Sequence, residues 1–220
     1  MESNKAVVWD LDGVLVDSSD AHKASWVEMA REWDVPYDAD KDFPSTFGRH
    51  NSDIITLLWG VTDPKVIQAM ADTKEGYFRY SAAALKPMPG AIELVNALRR
   101  AAWKQGIGSS APLKNIQVVL QAIGLAEQMD AIASGDDVTT GKPDPQVFMV
   151  AFERLGVEPA RGVVIEDAIA GVHAAKGAGA VCIGVTNSHG ADALKEAGAD
   201  LLVHSLTELT VATLTNLIRG

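Results

Sequence analysis

Two hydrophobic rhythms run along this chain. Short apolar runs recur at residues 5–10, 106–109, 131–134, 162–165, 180–185 and 200–203, and their length and small or β-branched content read as buried strands. Between them the spacing turns helical, over 91–103, 113–123, 145–155 with Asp144 as cap, 169–178 and 190–197. A last helix is expected to open at the capping box Ser205-Leu206-Thr207-Glu208. Repeated alternation with short links predicts an α/β fold, a Rossmann-like doubly wound parallel sheet covered on both faces.

Residues 18–85 break this rhythm. Ala24, Val27, Ala30 and Trp33 give helical spacing over 20–33 with Asp20 as cap, and a loop carrying Pro36 and Pro44 spans 34–46. After Phe47-Gly48-Arg49-His50-Asn51 comes a short apolar segment, 54–59, and Asp63-Pro64 then opens a helix that continues to about residue 84. No strand is predicted here. The first strand lies before this stretch and has no sheet of its own, so it must pair with the later strands. The helical stretch is therefore an insertion, with a core domain over 1–17 and 87–220 and an all-helical cap domain over 18–86. Pro87-Met88-Pro89-Gly90 interrupts the chain as a linker would.

The candidate chemistry lies where the predicted strands end. Ala6-Val7-Val8-Trp9 runs into Asp10 and Asp12, and Gly13 turns the chain. Period-two alternation sets both carboxylates on one side of the backbone, and like charges about 4 Å apart cost on the order of 4 kcal/mol at an effective dielectric of about 20. A cation is expected between them. Ser109-Ser110 ends the next strand, where an N-cap and an anion ligand share one pattern. Lys142, in Gly141-Lys142-Pro143-Asp144-Pro145, is held extended by its proline ahead of a helix. Glu166-Asp167 follows Gly162-Val163-Val164-Ile165 and reads either as a helix cap or, together with Asp10 and Asp12, as a site for a hard divalent cation.

The run AVVWDLDGVLVDSS resembles the first motif, DxDGxxxDS, of the haloacid-dehalogenase-like phosphotransferases. Ser109, the Gly-Lys-Pro-x-Pro segment and Glu166-Asp167 resemble the second, third and fourth motifs, in the same order. The resemblance implies covalent catalysis. Asp10 would attack phosphorus and become an aspartyl phosphate. Asp12 would protonate the leaving oxygen and then deprotonate water or an alcohol. Ser109 and the backbone around Ser110 would hold phosphoryl oxygens, and Lys142 would offset charge. Mg²⁺ would be held by Asp10, the Asp12 carbonyl and Asp167, with Glu166 direct or one step removed.

Within the family, VVWDLDGVLVDSSDAHKASW is similar to the β-phosphoglucomutase and sugar-phosphatase branch, in which a histidine twelve residues after the nucleophile orients the general acid; His22 has that spacing. Gly48-Arg49-His50 resembles the branch's cap loop. Where the mutase pattern has an arginine three residues after the glycine, this chain has Asn51, with Arg49 as a substitute. Arg79 stands in for a mutase cap lysine. A structural histidine and a solvated arginine share these patterns. The departures favour a Mg²⁺-dependent phosphatase of small phosphorylated metabolites, sugar phosphates foremost. The alternatives are a β-phosphoglucomutase and, in another class, a non-catalytic binding module.

Composition bounds the partners. The 220 residues are 47% apolar and 22% charged, and the formal charge of −10 argues against a nucleic-acid-coating surface. Cys182 is the sole cysteine and reads as a core residue. With no apolar run of membrane-spanning length and charges at Glu2, Lys5, Asp10 and Asp12, no membrane segment or signal peptide is expected, and a cytoplasmic location follows as the default. A monomer is compatible with every motif.

Overall fold

The computed structural model describes residues 5–46, 50–82 and 84–218. The chain forms two compact units, one of Met1–Asp17 with Lys86–Gly220 and one of Ser18–Leu85.

The first unit is built on six parallel strands: β1 (Ala6–Trp9), β2 (Lys104–Gly108), β3 (Ala131–Ala133), β4 (Gly162–Glu166), β5 (Val181–Val185) and β6 (Leu201–Val203). Their order is β3-β2-β1-β4-β5-β6. β1 is central, with Ala6↔Lys104 and Trp9↔Ile107 on one side and Ala6↔Gly162 and Trp9↔Ile165 on the other. The chain builds outward from β1 through β2 and β3, then crosses to the opposite side of β1 for β4, which puts the topological switch point between β1 and β4.

Helices cover both faces, as an all-parallel sheet requires. Ala6, Val8, Val164 and Cys182 pack with Phe148 and Phe152 of the helix Gln146–Leu155 and with Val172 and Ala175 of the helix Ile169–Gly177. Alternation turns Trp9 to the other face. Its indole Nε1 donates to Gln105 Oε1 at 3.3 Å, and Gln105 Nε2 donates to the Val95 carbonyl of the helix Ala91–Arg100 at 3.0 Å, so the buried polar atoms satisfy one another.

In chain order the α-helices are α1 (Ser19–Glu32), α2 (Ala39–Asp42), α3 (Asn51–Trp59), α4 (Pro64–Ala82), α5 (Ala91–Arg100), α6 (Leu113–Ala122), α7 (Gln146–Leu155), α8 (Ile169–Gly177), α9 (Ala191–Glu196) and α10 (Val211–Leu217). α1–α4 make up the second unit, where Trp26, Met29, Phe43, Ile54, Ile55 and Met70 form a separate core.

Three local expectations are corrected. Asp20 is not the cap of α1: Ser18 holds that position, and Asp20 lies in the first turn, where its charge favours the helix dipole. The stretch expected to be a loop contains α2, started by the Asp38 carboxylate accepting from Asp40 N at 3.2 Å, and then a 3-10 turn, Phe43–Thr46. The capping box at Ser205 closes a 3-10 turn, Leu206–Glu208, and α10 has its own cap, Thr210 Oγ1 accepting from Thr213 N at 3.1 Å. Among the described residues no helix is long and apolar enough to cross a membrane.

Candidate active site

The sheet delivers the predicted residues to one edge. Asp10 directly follows β1 and still pairs with β4 through its N–H to the Ile165 carbonyl at 2.9 Å. Glu166 is the last residue of β4, with Asp167 beside it. Ser109 follows β2 and donates its N–H to the Ala133 carbonyl at 3.1 Å. Lys142 lies between β3 and α7. These are carboxyl ends of strands at a switch point, where open parallel sheets bind ligands.

Lys142 Nζ bridges two acids, donating to Asp10 Oδ1 at 2.5 Å and to Glu166 Oε1 at 2.7 Å, and it stands 4.6 Å from the centre of the Phe148 ring. The other Glu166 oxygen accepts from the N–H groups of Asp167 and Ala168, both at 2.8 Å, so this carboxylate caps the entry to α8 as well as holding the lysine. A side chain at Gly171 would stand 1.7 Å from Glu166 Oε1, which explains a glycine in the first turns of α8. Gln146 N donates to Asp144 Oδ1 at 3.0 Å, fixing the start of α7 just after the lysine.

Charge is unbalanced here. One carboxylate oxygen from each of Asp10, Glu166 and Asp167 lies within 4.8 Å of the others, all three residues are buried, and among the described residues one ammonium, Lys142, bonds to Asp10 and Glu166. Burial pushes the Asp10 carboxyl well above its ordinary range; Lys142 draws it down, and Glu166 and Asp167 push it up again. Burial and Glu166 push Asp167 up to about 7, against a hydrogen bond from Ser188. Lys142 remains an ammonium, because the charges of Asp10 and Glu166 outweigh the burial that opposes it. An all-oxygen donor set with surplus negative charge fits a hard divalent cation.

A stability test follows from the sign of these shifts. Carboxyls raised in the folded state favour folding while protonated, so for Asp167 that contribution is full below about pH 4 and lost as pH rises through about 7. A divalent cation bound here would take the proton's place. Thermal melts with Mg²⁺ and with EDTA should differ by roughly 5 °C or more near pH 8 and converge toward pH 4. A gap that is the same at both pH values would refute metal binding by this cluster.

The Asp12 carboxylate is not part of the three-acid group. The strand ends at Trp9 and the chain bends into a tight turn, with Gly13 at φ 82°, so alternation no longer places Asp12 beside Asp10. Asp12 is half-buried, yet its charge still raises the Asp167 carboxyl. Ser109 is 2% exposed and its Oγ accepts from Ala111 N at 3.1 Å, whereas Ser110 is exposed. α6 opens only at Leu113, whose N–H is taken by Asp136 Oδ2 at 2.9 Å.

In the helical unit, His22 stacks on Phe78 with ring centroids 4.2 Å apart, and its Nδ1 is 3.0 Å from Lys74 Nζ. An ammonium only donates, so Nδ1 accepts and the ring proton is on Nε2. Lys74 is 2% exposed, pairs with Glu75 Oε1 at 2.8 Å and lies 5.5 Å from the Trp26 ring centre. Asn51 Nδ2 donates to the same Glu75 oxygen at 2.7 Å. Lys74 is therefore a cation that meets His22, and Arg79 is half-buried five residues further along α4. Gly48 and Arg49 lie outside the described residues. Lys74 escaped the sequence reading because an Asp-Thr-Lys-Glu run on a helix reads as solvated surface.

The sequence reading also missed Asn187, Ser188 and His189, which bond to the turn after Asp12 and to Asp167. The available signal was their place: a polar run directly after an apolar strand that neighbours β4.

The chain is similar to known proteins over nearly its whole length. The chain is 34% identical over 221 residues to the validoxylamine A 7'-phosphate phosphatase of Streptomyces hygroscopicus subsp. limoneus, covering 93% of this chain and 95% of the relative. It is 32% identical over 218 residues to the β-phosphoglucomutase of Bacillus subtilis (strain 168), covering 96% and 93%. The crystal structure of CbbY from Rhodobacter sphaeroides in complex with phosphate superposes with a TM-score of 0.86 at 27% identity, over 96% of this chain and 99% of that one. The family model for haloacid dehalogenase-like hydrolases matches residues 4–179, the stretch that runs from β1 through β4 to the end of α8, and the chain belongs to that family.

Proposed function

We propose that this protein is a Mg²⁺-dependent phosphatase of small phosphorylated metabolites, sugar phosphates foremost, working through an aspartyl phosphate on Asp10. The observation that carries the reading is the array at the switch point: a buried carboxylate at the end of the central strand, a lysine bonded to it at 2.5 Å, and two more acids beside it. The relatives named for a phosphatase and a phosphoglucomutase support phosphoryl chemistry on a carbohydrate-like substrate.

The chain's own residues divide the work. Asp10 attacks phosphorus in line, a P–O(Asp10) bond forms, and the bond to the leaving oxygen breaks as Asp12 gives that oxygen a proton. Water then attacks the aspartyl phosphate, Asp12 takes the water's proton, and inorganic phosphate leaves with Asp10 restored. Lys142 and Ser109 hold phosphoryl oxygens. When bound, Mg²⁺ would be held by Asp10, Asp167 and the Asp12 carbonyl, with Glu166 direct or one step removed, and would supply electrostatic compensation for the charge that gathers on phosphorus. The helical unit, residues 18–86, serves as a cap that selects the substrate.

A second reading, a phosphomutase, draws support from the relative named for a β-phosphoglucomutase, which is 32% identical to this chain. Phosphorus NMR separates the two. With Mg²⁺, a sugar-phosphate panel including β-glucose 1-phosphate, and a trace of glucose 1,6-bisphosphate, growth of inorganic phosphate is expected. Conversion to glucose 6-phosphate without phosphate release would establish the mutase, and no change in any ester would leave the binding module.

A further inference from the structure

After Val185 the chain crosses the carboxyl edge of the sheet as Thr186-Asn187-Ser188-His189. Three consecutive side chains there bond to the two loops that carry the acids. Asn187 Nδ2 donates to the Gly13 carbonyl at 2.7 Å. Ser188 Oγ donates to Asp167 Oδ2. His189 Nδ1 is 3.2 Å from the Asp167 carbonyl, and since a carbonyl only accepts, that nitrogen carries the proton. We propose that this loop is a clasp that positions the cation site, with Ser188 as the positioning residue for Asp167 and Asn187 as the tether of the turn that follows Asp12. The proposal rests on the metal-dependent reading above and extends it to residues outside the family motifs.

Three observations separate a clasp from ordinary loop packing. The turn closes without these side chains, through Asn187 N–H to the Val185 carbonyl at 2.9 Å, while Thr186 Oγ1 and His204 Nδ1 pair 2.8 Å apart. Asn187 and Ser188 are exposed, so neither fills a core, yet the carboxylate Ser188 bonds is 2% exposed. Gly13 also abuts Asp167, since a side chain at Gly13 would stand 2.0 Å from the same Oδ2. With Gly13 and Ser188 both against it, one oxygen of the carboxylate is pinned. Without that hydroxyl, repulsion from Glu166 favours rotating the Asp167 carboxylate out of the cluster, and a cation would have to bring it back on binding.

The test measures cation affinity as well as turnover. Mn²⁺, a paramagnetic stand-in for Mg²⁺, is titrated into the metal-free protein and followed by electron paramagnetic resonance, with competition by Mg²⁺. Ser188→Ala is expected to weaken both ions by about 10- to 100-fold and to raise the Mg²⁺ concentration needed for half-maximal turnover in the same proportion. Ser188→Thr, which keeps the hydroxyl at an exposed position with room for a methyl, is expected to recover most of that affinity. The melting temperature of Ser188→Ala in EDTA should stay within about 1–2 °C of the parent, as for a surface substitution. Parental Mn²⁺ affinity in Ser188→Ala, or a lowered melting temperature with no change in affinity, would overturn the clasp. Failure of the parent itself to bind Mn²⁺ would overturn the metal-dependent reading on which it rests.

Discussion

Asp10→Asn is expected to lose roughly 10⁴-fold or more in turnover while the metal-free protein melts no lower than the parent. The amide keeps the size and much of the hydrogen bonding of the carboxylate but is no nucleophile toward phosphorus, so no aspartyl phosphate forms. Stability should move the other way. Burial with Glu166 and Asp167 alongside holds the Asp10 carboxyl above its ordinary range, so its charge at neutral pH is a net cost to the fold. Removing that charge relieves the crowd, and Lys142 keeps Glu166 as partner at 2.7 Å. Phosphate release and thermal melts in EDTA read both effects. Substantial residual turnover would move the nucleophile elsewhere, and a melting temperature several degrees lower would mean that the Lys142–Asp10 bond outweighs the repulsion.

Lys142→Met is expected to harm both activity and stability. The lysine side chain is 9% exposed and its ammonium is the sole cation bonded, among the described residues, to Asp10 and Glu166. Methionine retains packing near Phe148 but leaves three buried acids with no counter-charge. Removing one partner of a buried ion pair costs about 3–5 kcal/mol, which for a chain of this size lowers the melting temperature by roughly 6–20 °C. That loss should shrink as pH falls toward about 5, because protons neutralise the acids, and Mg²⁺ should return part of it. Turnover should fall by a further roughly 10²- to 10³-fold even with saturating Mg²⁺, through the lost stabilisation of phosphoryl charge. A melting temperature that is unchanged and insensitive to pH would show that Lys142 does not balance this cluster.

Much of the candidate site was legible because each acid is announced by its own neighbours. An apolar run that stops at a carboxylate marks a strand end, and parallel strands must present their ends along one edge, so Asp10, Ser109 and Glu166 were readable as edge residues. Lys142 carried a weaker signal, since only the prolines after it set it apart from a surface lysine. Local capping was less dependable: Asp20, Ser18 and Ser19 are all competent at the start of α1, and residue type alone does not rank them. The helix within 34–46 spans four residues held by the Asp38 and Asp42 side chains, too short a stretch for periodicity to register.

The sequence by itself determined the class of the sheet, the order of strands and helices within a residue or two for most elements, and the residue types at the strand ends. These follow from burial periodicity and turn chemistry, which act over a few residues. Tertiary structure alone decided which side chains meet. Lys142 reaches Asp10 across 132 residues and Asn187 reaches Gly13 across 174, and no local rule ranks one distant pairing above another. It also separated Asp12 from the three-acid cluster, turned Glu166 into both a helix cap and a lysine partner, and brought Lys74 against His22. Each of those outcomes depends on the burial of charge, and how much water remains around a charge is fixed only when the whole chain has packed around it.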